Sequence, residues 1–166
     1  FIDADISVIN SSRVEDAVSD IMRRIQPDVL SFRPAVVLLM IGQFDSNRAG
    51  MTEETYREQV KTLFGYCVEH DLFPIVLTPV AYRDAVQMRN ELVERLKMFN
   101  EITMFEAGHH GFPVIDTFSY VDRLRETNPD EYRSLFKDQI VFSDKGCDYV
   151  LSYVVKKMRA SYKKHK

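Results

Sequence analysis

The sequence predicts an α/β protein, a three-layer helix–sheet–helix sandwich around a mainly parallel sheet. Short apolar runs rich in β-branched residues alternate with longer amphipathic segments along the whole chain. One run, residues 35–41, is continuously apolar and ends at Gly42, as is typical of a strand buried on both faces. The segments between the runs are long enough for right-handed helical crossovers. Ligand sites in such folds lie outside the carboxyl ends of the strands.

The first two elements are predicted to be a strand and a helix. Residues 1–9 alternate apolar with polar side chains, which favours a strand. Asn10, Ser11 and Ser12 can cap the following helix, which should end near Pro27. Its apolar residues recur at helical spacing: Val14, Ala17, Val18, Ile21, Met22 and Ile25.

The middle of the chain repeats this alternation. After the strand at 35–41, residues 43–50 are predicted to form a polar loop. Thr52 then caps a helix with acidic residues in its first turn. Residues 73–78 predict the next buried strand, and a long helix is predicted over 82–105.

The last third is less regular. Residues 108–111 (GHHG) predict a breaker loop, and residues 112–117 predict a short strand. A partly helical section follows, and a final amphipathic helix should begin near Ser143. The loops after Ile9, Ile41, Thr78 and Thr117, with residues 138–143, are expected to share one edge of the sheet.

Composition indicates one globular domain. The 166 residues are 45% apolar and 28% charged, enough for one core, so residues 1–166 are predicted to form a single domain. No apolar run approaches the roughly 18 residues that span a bilayer, and no membrane partner is expected. Cys67 and Cys147 each fit an amphipathic pattern, which predicts buried reduced thiols and a cytoplasmic location. The start at Phe1, without an initiator Met, leads us to expect a domain excised from a longer protein.

Charge is unevenly distributed. The net charge is −3, but from Tyr149 onward the chain has six basic residues and no acidic one. The remainder carries 16 basic against 25 acidic residues. The sequence therefore predicts a basic C-terminal helix on an acidic body.

Three segments resemble blocks of the SGNH (GDSL-type) hydrolases. Residues 34–45 (PAVVLLMIGQFD) are similar to the third block, a buried strand ending in Gly-x-Asn-Asp. Residues 52–79 resemble the helix and strand that follow it. Residues 138–146 (DQIVFSDKG) resemble the last block, Asp-x-x-His-Pro-Ser-Asp-x-Gly. The resemblance implies the flavodoxin-like sandwich of that family.

The departures from these blocks fall on the positions that carry the chemistry. The resemblance assigns the general base to the position of Val141 and the oxyanion donor to that of Phe44, and neither side chain can serve. The Gly-Asp-Ser nucleophile block is not in the chain, and the nearest candidates for the second-block amide are Ser11 and Ser12. We therefore expect no enzyme activity, no cofactor and no small-molecule substrate. The vestigial positions are Gly42, Phe44, Asp45, Asp138 and Val141.

Noncatalytic members of this fold suggest another role. The losses at Phe44 and Val141, the excised start and the basic C-terminal helix resemble the OSK domains of germ-plasm proteins. This resemblance implies binding of messenger RNA, with 3′ untranslated regions as targets. It also implies germ-granule proteins as further partners and a cytoplasmic ribonucleoprotein location.

Candidate RNA-binding residues follow from the charge pattern. Five lie in the last helix: Lys156, Lys157, Arg159, Lys163 and Lys164. Tyr153 and Tyr162 could offer stacking surfaces between them. Arg48 and Arg83 follow strand ends and should lie at the functional edge. The alternative is a solvated helix whose cations suit the helix dipole, with solvated arginines in the loops.

Other polar groups allow two interpretations each. His109 and His110 could suggest a metal, but adjacent histidines point apart and no further ligand is suitably spaced, so we predict an exposed loop and no metal site. Asp45 and Asp116 could form a catalytic carboxylate pair, although hydrogen bonding to loop amides is the preferred interpretation. Asp138 is predicted to be a turn or cap residue.

Two further functions stay open beside RNA binding. The same fold could serve as a protein-interaction scaffold that recruits partners through its helical faces. A residual esterase with a rearranged site is the third hypothesis. Phe44 and Val141 could together plug the former active site and keep it dry, and ordinary core filling is the alternative interpretation.

Overall fold

The sheet is parallel and helices cover both of its faces. The structure is a computed structural model that describes residues 7–81 and 90–164. Strands β1 (Val37–Met40), β2 (Pro74–Leu77) and β3 (Val114–Ile115) pair in the order β1-β2-β3. The helices are α1 (Val18–Asp28), α2 (Gln43–Asn47), α3 (Glu53–Glu69), α4 (Asn90–His109), α5 (Thr117–Thr127), α6 (Pro129–Ser134) and α7 (Asp144–Lys164), with a 3₁₀ turn at Leu30–Phe32. The predicted α/β sandwich is confirmed.

One face of the sheet carries the main core. Alternation along the strands turns Val37, Leu39 and Val76 to this face, where helices α1, α3 and α4 cover them. The largest side chains of this core include Tyr56 and Phe99, whose rings stack at 4.3 Å between α3 and α4. Thr52 begins α3 as predicted, because its hydroxyl accepts from the amide of Thr55 at 3.1 Å.

Helix α7 covers the other face. Its Val154 is buried against Leu77 and Ile115, and Met158 and Ile75 pack at the margin of this smaller cluster. The predicted start of this helix near Ser143 is correct. Helix α7 therefore lies over β2 and β3, on the side of the sheet next to α5, the helix that follows β3.

Strand β1 departs from the prediction of burial on both faces. Its register pairs Leu38 with Ile75 and Met40 with Leu77, so these four side chains share the α7 face. Leu38 is 56% exposed and Met40 48% exposed, whereas Leu77 is buried. The reason is that, among the described residues, α7 lies over β2 and β3 and does not extend over β1. Among the described residues, no strand pairs with the outer edge of β1.

The N-terminal predictions need correction. Residues 1–6 lie outside the described part of the chain, and residues 7–10 are exposed and belong to no strand. Helix α1 begins at Val18, several residues later than predicted, and Val14 is 89% exposed. Pro27 lies inside the last turn of α1 and does not end the helix.

Three further predictions are wrong in part. Residues 43–47 form α2 instead of a polar loop. Helix α4 continues to His109, so the loop predicted over residues 108–111 begins later than expected. The chain turns at Gly111, which has a φ of 72°. The start predicted for α4, at residue 82, lies outside the described residues. The strand predicted over residues 112–117 is β3, which has only two residues.

The cysteines behave differently from each other. Cys67 is buried in the main core, and burial raises the pKa of its thiol to about 11. Cys147 is exposed on α7, contrary to the prediction. In the described part of the chain, no helix combines the length and apolarity that a membrane span requires.

Candidate functional site

The third-block segment lies at the carboxyl edge of the sheet, directly after β1. Gly42 has a φ of 102°, and a Cβ there would overlap the hydroxyl of Tyr56. That hydroxyl bonds Thr103 at 2.7 Å and is fully buried, which raises the pKa of Tyr56. A glycine is needed here because the strand must turn sharply into α2 against a fixed ring.

Asp45 is fully buried at the same edge and holds α1 in place. Both carboxylate oxygens lie 3.3 Å from the amide nitrogen of Val18, the first residue of α1. Burial raises the pKa of Asp45, and the helix amide partly offsets this effect. The carboxylate therefore supports the helix N-terminus and is turned away from solvent.

Phe44 stands at the position that the sequence resemblance assigns to the oxyanion donor, and its side chain has no hydrogen-bond donor. It is half-buried within α2, between Gln43 and the buried Asp45. The Gln43 amide donates to the carbonyl of Val80 at 3.4 Å, which connects the loops after β1 and β2. The polar groups of this loop thus bond to the protein itself.

Asp116 follows β3 and caps α5. Its carboxylate accepts from the amide of Ser119 at 3.0 Å and from the hydroxyl of Thr78 at 2.9 Å. Asp45 and Asp116 therefore serve different helices through separate hydrogen bonds, as expected for structural residues. The geometry gives no shared proton site for acid–base work.

The last-block segment forms an exposed turn. Asp138 accepts from the amides of Ile140 and Val141 at 2.9 and 2.8 Å, so it acts as the predicted turn residue. Val141, at the base position, is 50% exposed. The hypothesis of a dry plug is therefore wrong for Val141, because this side chain faces solvent.

The retained residues of that block have structural roles. The Ser143 hydroxyl accepts from the amide of Gly146 at 3.2 Å and begins α7. A Cβ on Gly146 would overlap the carbonyl oxygen of Leu135, which itself accepts from the amide of Ser143 at 2.8 Å. Glycine therefore lets α7 approach the backbone closely.

Ser11 and Ser12 lie at the wrong end of the molecule to serve this edge. The Ser11 hydroxyl donates to the carbonyl of Asp28 at 2.7 Å, at the end of α1 opposite Val18. Arg24 holds the segment there by donating to the Ser11 carbonyl at 2.8 Å. The predicted loop after Ile9 therefore does not join the other loops, because residues 11–17 run back along α1.

The predicted cations are only partly brought together. Lys156, Lys157 and Arg159 are exposed within a single turn of α7. Positions 163 and 164 continue this helix, but the side chains of Lys163 and Lys164 lie outside the described residues, as does Arg83. Arg48 is exposed after α2 at the carboxyl edge, apart from α7 in the chain.

A shallow hollow accompanies these cations on one flank of α7. Lys156 and Arg159 line it together with the apolar Leu151 and Val155, and its volume is about 600 Å³. Leu151 is 58% exposed. Apolar surface and positive charge therefore lie side by side on this flank.

A group of stacked tyrosines lies where α7 packs on α5. The Tyr120 ring of α5 stacks between two rings of α7, at 3.9 Å from Tyr153 and 4.9 Å from Tyr149. The Lys157 ammonium lies 5.3 Å from the centroid of the Tyr153 ring. We call Tyr149, Tyr120 and Tyr153 the tyrosine ladder. All three side chains are half-buried.

Tyr153 is the one member of this ladder that the sequence predicts as a stacking surface. Tyr149 and Tyr153 are four residues apart and therefore lie on the same helix face, so the sequence alone could have predicted that these two rings are neighbours. Tyr120 comes from another helix, and no local pattern predicts its position. Burial and a hydrogen bond with Tyr120 raise the pKa of Tyr149 to about 12, so the Tyr149 phenol stays neutral at physiological pH.

The adjacent histidines have different surroundings. His110 is half-buried, with its Nδ1 2.9 Å from the carbonyl oxygen of Glu106 and its ring 5.9 Å from that of Phe112. It is therefore a packed residue, not part of an exposed loop as predicted. Among the described residues, no group of three or more His, Cys, Asp or Glu side chains could hold a metal ion.

Comparison with known proteins gives similarity in structure alone. No family model and no curated protein matches the sequence. An acetyl xylan esterase aligns with a TM-score of 0.75 at 18% identity, covering 86% of this chain and 76% of its own. The lipase/acylhydrolase from Enterococcus faecalis gives 0.69 at 23% identity, covering 89% and 72%. A GDSL-like lipase from Parabacteroides merdae gives 0.71 at 19% identity, covering 84% and 66%.

The order of strands and helices and these alignments define the class of fold. The chain has an SGNH-hydrolase-like fold, a mixed α/β sandwich with a parallel sheet. At identities of 17–23%, these neighbours establish the fold and leave the activity to be argued from the residues of the chain itself.

Proposed function

We propose that the chain is a noncatalytic SGNH-like domain that binds single-stranded RNA through α7. The observation that carries the proposal is the row of exposed cations Lys156, Lys157 and Arg159 beside stacked aromatic rings. Cations along a helix attract phosphates, and aromatic rings stack on unpaired bases. Lys163 and Lys164 would extend this row, and Arg48 and Arg83 would give secondary contacts.

The carboxyl edge supports the noncatalytic half of the proposal. Hydrolysis in this fold needs a base and an oxyanion donor, and the matching positions hold Val141 and Phe44. Asp138 and Asp45 are engaged by backbone amides. Nothing among these groups can accept a proton from a nucleophile and stabilise a developing oxyanion together.

The biological setting is proposed from the sequence resemblance. The domain is similar to the C-terminal OSK domain of the germ-plasm protein Oskar in the positions of its losses and in its basic last helix. On that basis its targets are messenger RNAs, including their 3′ untranslated regions. Its place is a cytoplasmic ribonucleoprotein or germ granule, where it contributes to localisation or translational control.

Charge reversal tests the proposal. A labelled oligouridylate of about 12 nucleotides is titrated at several salt concentrations, and anisotropy gives the affinity. The triple variant K156E/K157E/R159E should bind at least about 10-fold more weakly, with a log–log salt slope smaller by about 2. The matched control is R13E/R23E/K61E, which has the same net charge and exposed positions far from α7. Equal losses in both triples would contradict a site on α7.

A protein-interaction scaffold remains the second candidate, and one observation favours it. Leu38 and Met40 are large, apolar and exposed beside the edge of β1 that pairs with no strand in the described part of the chain. Such edges are templates for strand addition. A protein partner on this surface should be retained in a pull-down after nuclease treatment. The variant L38K/M40K should lose that partner, and its RNA affinity should stay unchanged. Retention of that partner by the variant would exclude this surface.

A further inference from the structure

We propose that the tyrosine ladder is a binding platform for an unpaired nucleobase, which stacks on the Tyr153 end. This inference rests on the proposed RNA binding and deepens it by assigning the base-recognising part of the site. The ladder is built from two helices, because Tyr120 comes from α5 and the other two rings come from α7.

The geometry of the rings matches base stacking. Tyr120 and Tyr153 are parallel within 2° at a centroid separation of 3.9 Å, and Tyr149 continues the stack at 4.9 Å and 21°. Since Tyr149 and Tyr153 are one helical turn apart, the stack runs along the axis of α7. A nucleobase added at the Tyr153 end would continue in the same direction, towards the C-terminal cations.

Lys157 marks that end of the ladder. Its ammonium lies 5.3 Å from the Tyr153 centroid, and the other face of this ring is covered by Tyr120. The ammonium therefore lies at the outer face, where the next ring of a stack would be. A base can replace this cation–π contact, and the displaced ammonium can then pair with the phosphate that flanks the base.

The opposite end of the ladder also has a cation nearby. Arg123 is exposed on α5 and close enough to Tyr149 to act on the pKa of its phenol. Lys157 would thus meet a phosphate beside the stacked base, and Arg123 would meet a phosphate further along the strand. A duplex would not suit this arrangement, because its bases are already stacked on each other and present no free face.

The neighbouring core gives the platform its rigidity. Tyr120 and Tyr149 pack at the margin of the cluster of Val121, Tyr132 and Leu135, while all three ladder rings stay half-exposed. The rings are therefore held in place before a ligand arrives, which reduces the entropy lost on binding.

Comparison of two oligonucleotides separates stacking from charge. The probes are an oligouridylate of about 12 nucleotides and an abasic oligonucleotide of the same length and charge. The wild-type domain should prefer the base-bearing probe by about 5-fold to about 100-fold, the range expected for one stacked base. Tyr153→Leu should abolish most of this preference while the salt slope of binding stays unchanged.

Two further variants protect the result against loss of folding. Tyr153→Phe keeps the ring and should keep the preference. Tyr66→Leu, at a half-buried tyrosine remote from α7 on α3, should also keep it. A wild-type domain that binds both probes equally with a steep salt slope would overturn the platform alone, as would an unchanged preference in Tyr153→Leu. Failure to bind either probe would overturn the proposed function itself.

Discussion

The carboxyl edge of the sheet and helix α7 differ in how their polar groups are used. At the edge, Asp45 is fully buried and bonds the start of α1, and Asp138 closes a turn. On α7, Lys156 and Lys157 extend into solvent beside aromatic rings. The polar groups of the first region stabilise the fold, whereas those of the second lie on an exposed helix surface.

The comparison separates residues that stabilise the fold, at the carboxyl edge, from exposed residues that form the proposed binding surface on α7. Residues at the edge that resemble hydrolase blocks keep backbone roles: Gly42 and Gly146 permit close approaches, and Asp45 holds a helix. The side chains of Phe44 and Val141 are partly or largely exposed and stand at the two positions where the sequence departs from the hydrolase blocks. Stability and RNA binding should therefore respond to different substitutions.

The largest expected effect is that of Gly146→Ala. The added methyl group would overlap the Leu135 carbonyl, a backbone atom that cannot rotate away. We expect a loss of about 3 kcal/mol in the free energy of unfolding, or a Tm lower by about 6–12 °C. Gly65→Ala is the control, since nothing lies within 4 Å of its Cβ and helix propensity should raise stability slightly. Equal stability of the two variants would contradict the close approach.

Asp45→Ala should have the next largest effect. The substitution removes the described acceptor of the Val18 amide and leaves a buried donor unpaired. Urea denaturation should show a loss of about 2 kcal/mol, while the affinity of the folded protein for oligouridylate stays the same. A selective loss of RNA affinity would place Asp45 in the binding site and break the separation of the two regions.

The titration of Asp45 sharpens this prediction. Burial raises its pKa above the ordinary 3.8 in the folded state, so the contribution to stability is present below that value and is lost as pH rises through the folded pKa. Relative to Asp45→Asn, the wild-type domain should therefore be more stable at pH 4 than at pH 7. A difference that is constant with pH would show that the carboxyl group is not buried as described.

Val141→His should have the smallest effect. The position is 50% exposed, so stability should change by less than about 0.5 kcal/mol. Because Phe44 still offers no oxyanion donor, hydrolysis of a short-chain aryl ester should stay at the level of buffer. Turnover that survives stringent purification and appears only with the histidine would revive the esterase hypothesis.

The fold could be predicted because its signals are local. The apolar runs around β1 and β2, the Thr52 cap and the start of α7 each depend on residues close in sequence. The exposed face of β1 could not be predicted, because Leu38 and Met40 are as apolar as Leu39, which is half-buried in the main core. Their exposure depends on where α7 lies.

Of the candidate site, only the cluster of positive charges on α7 could be predicted from the sequence. The cations of α7 follow each other in the sequence, so their clustering was visible. The tyrosine ladder was not, since Tyr120 reaches Tyr153 only through the packing of α5 on α7. The path of residues 11–17 was missed for the same reason, because ion pairs of Arg24 with Asp16 and Asp28 fix it from a distance.

Ultraviolet crosslinking of the domain to oligouridylate, with mapping of the attached peptides, tests the central claim most directly. If α7 and the tyrosine ladder bind RNA, adducts should form within residues 149–159 and at Tyr120, and the variant K156E/K157E/R159E should lose them. Adducts confined to residues 42–51 and 138–143 would contradict it, because the ligand would then occupy the carboxyl edge and not α7.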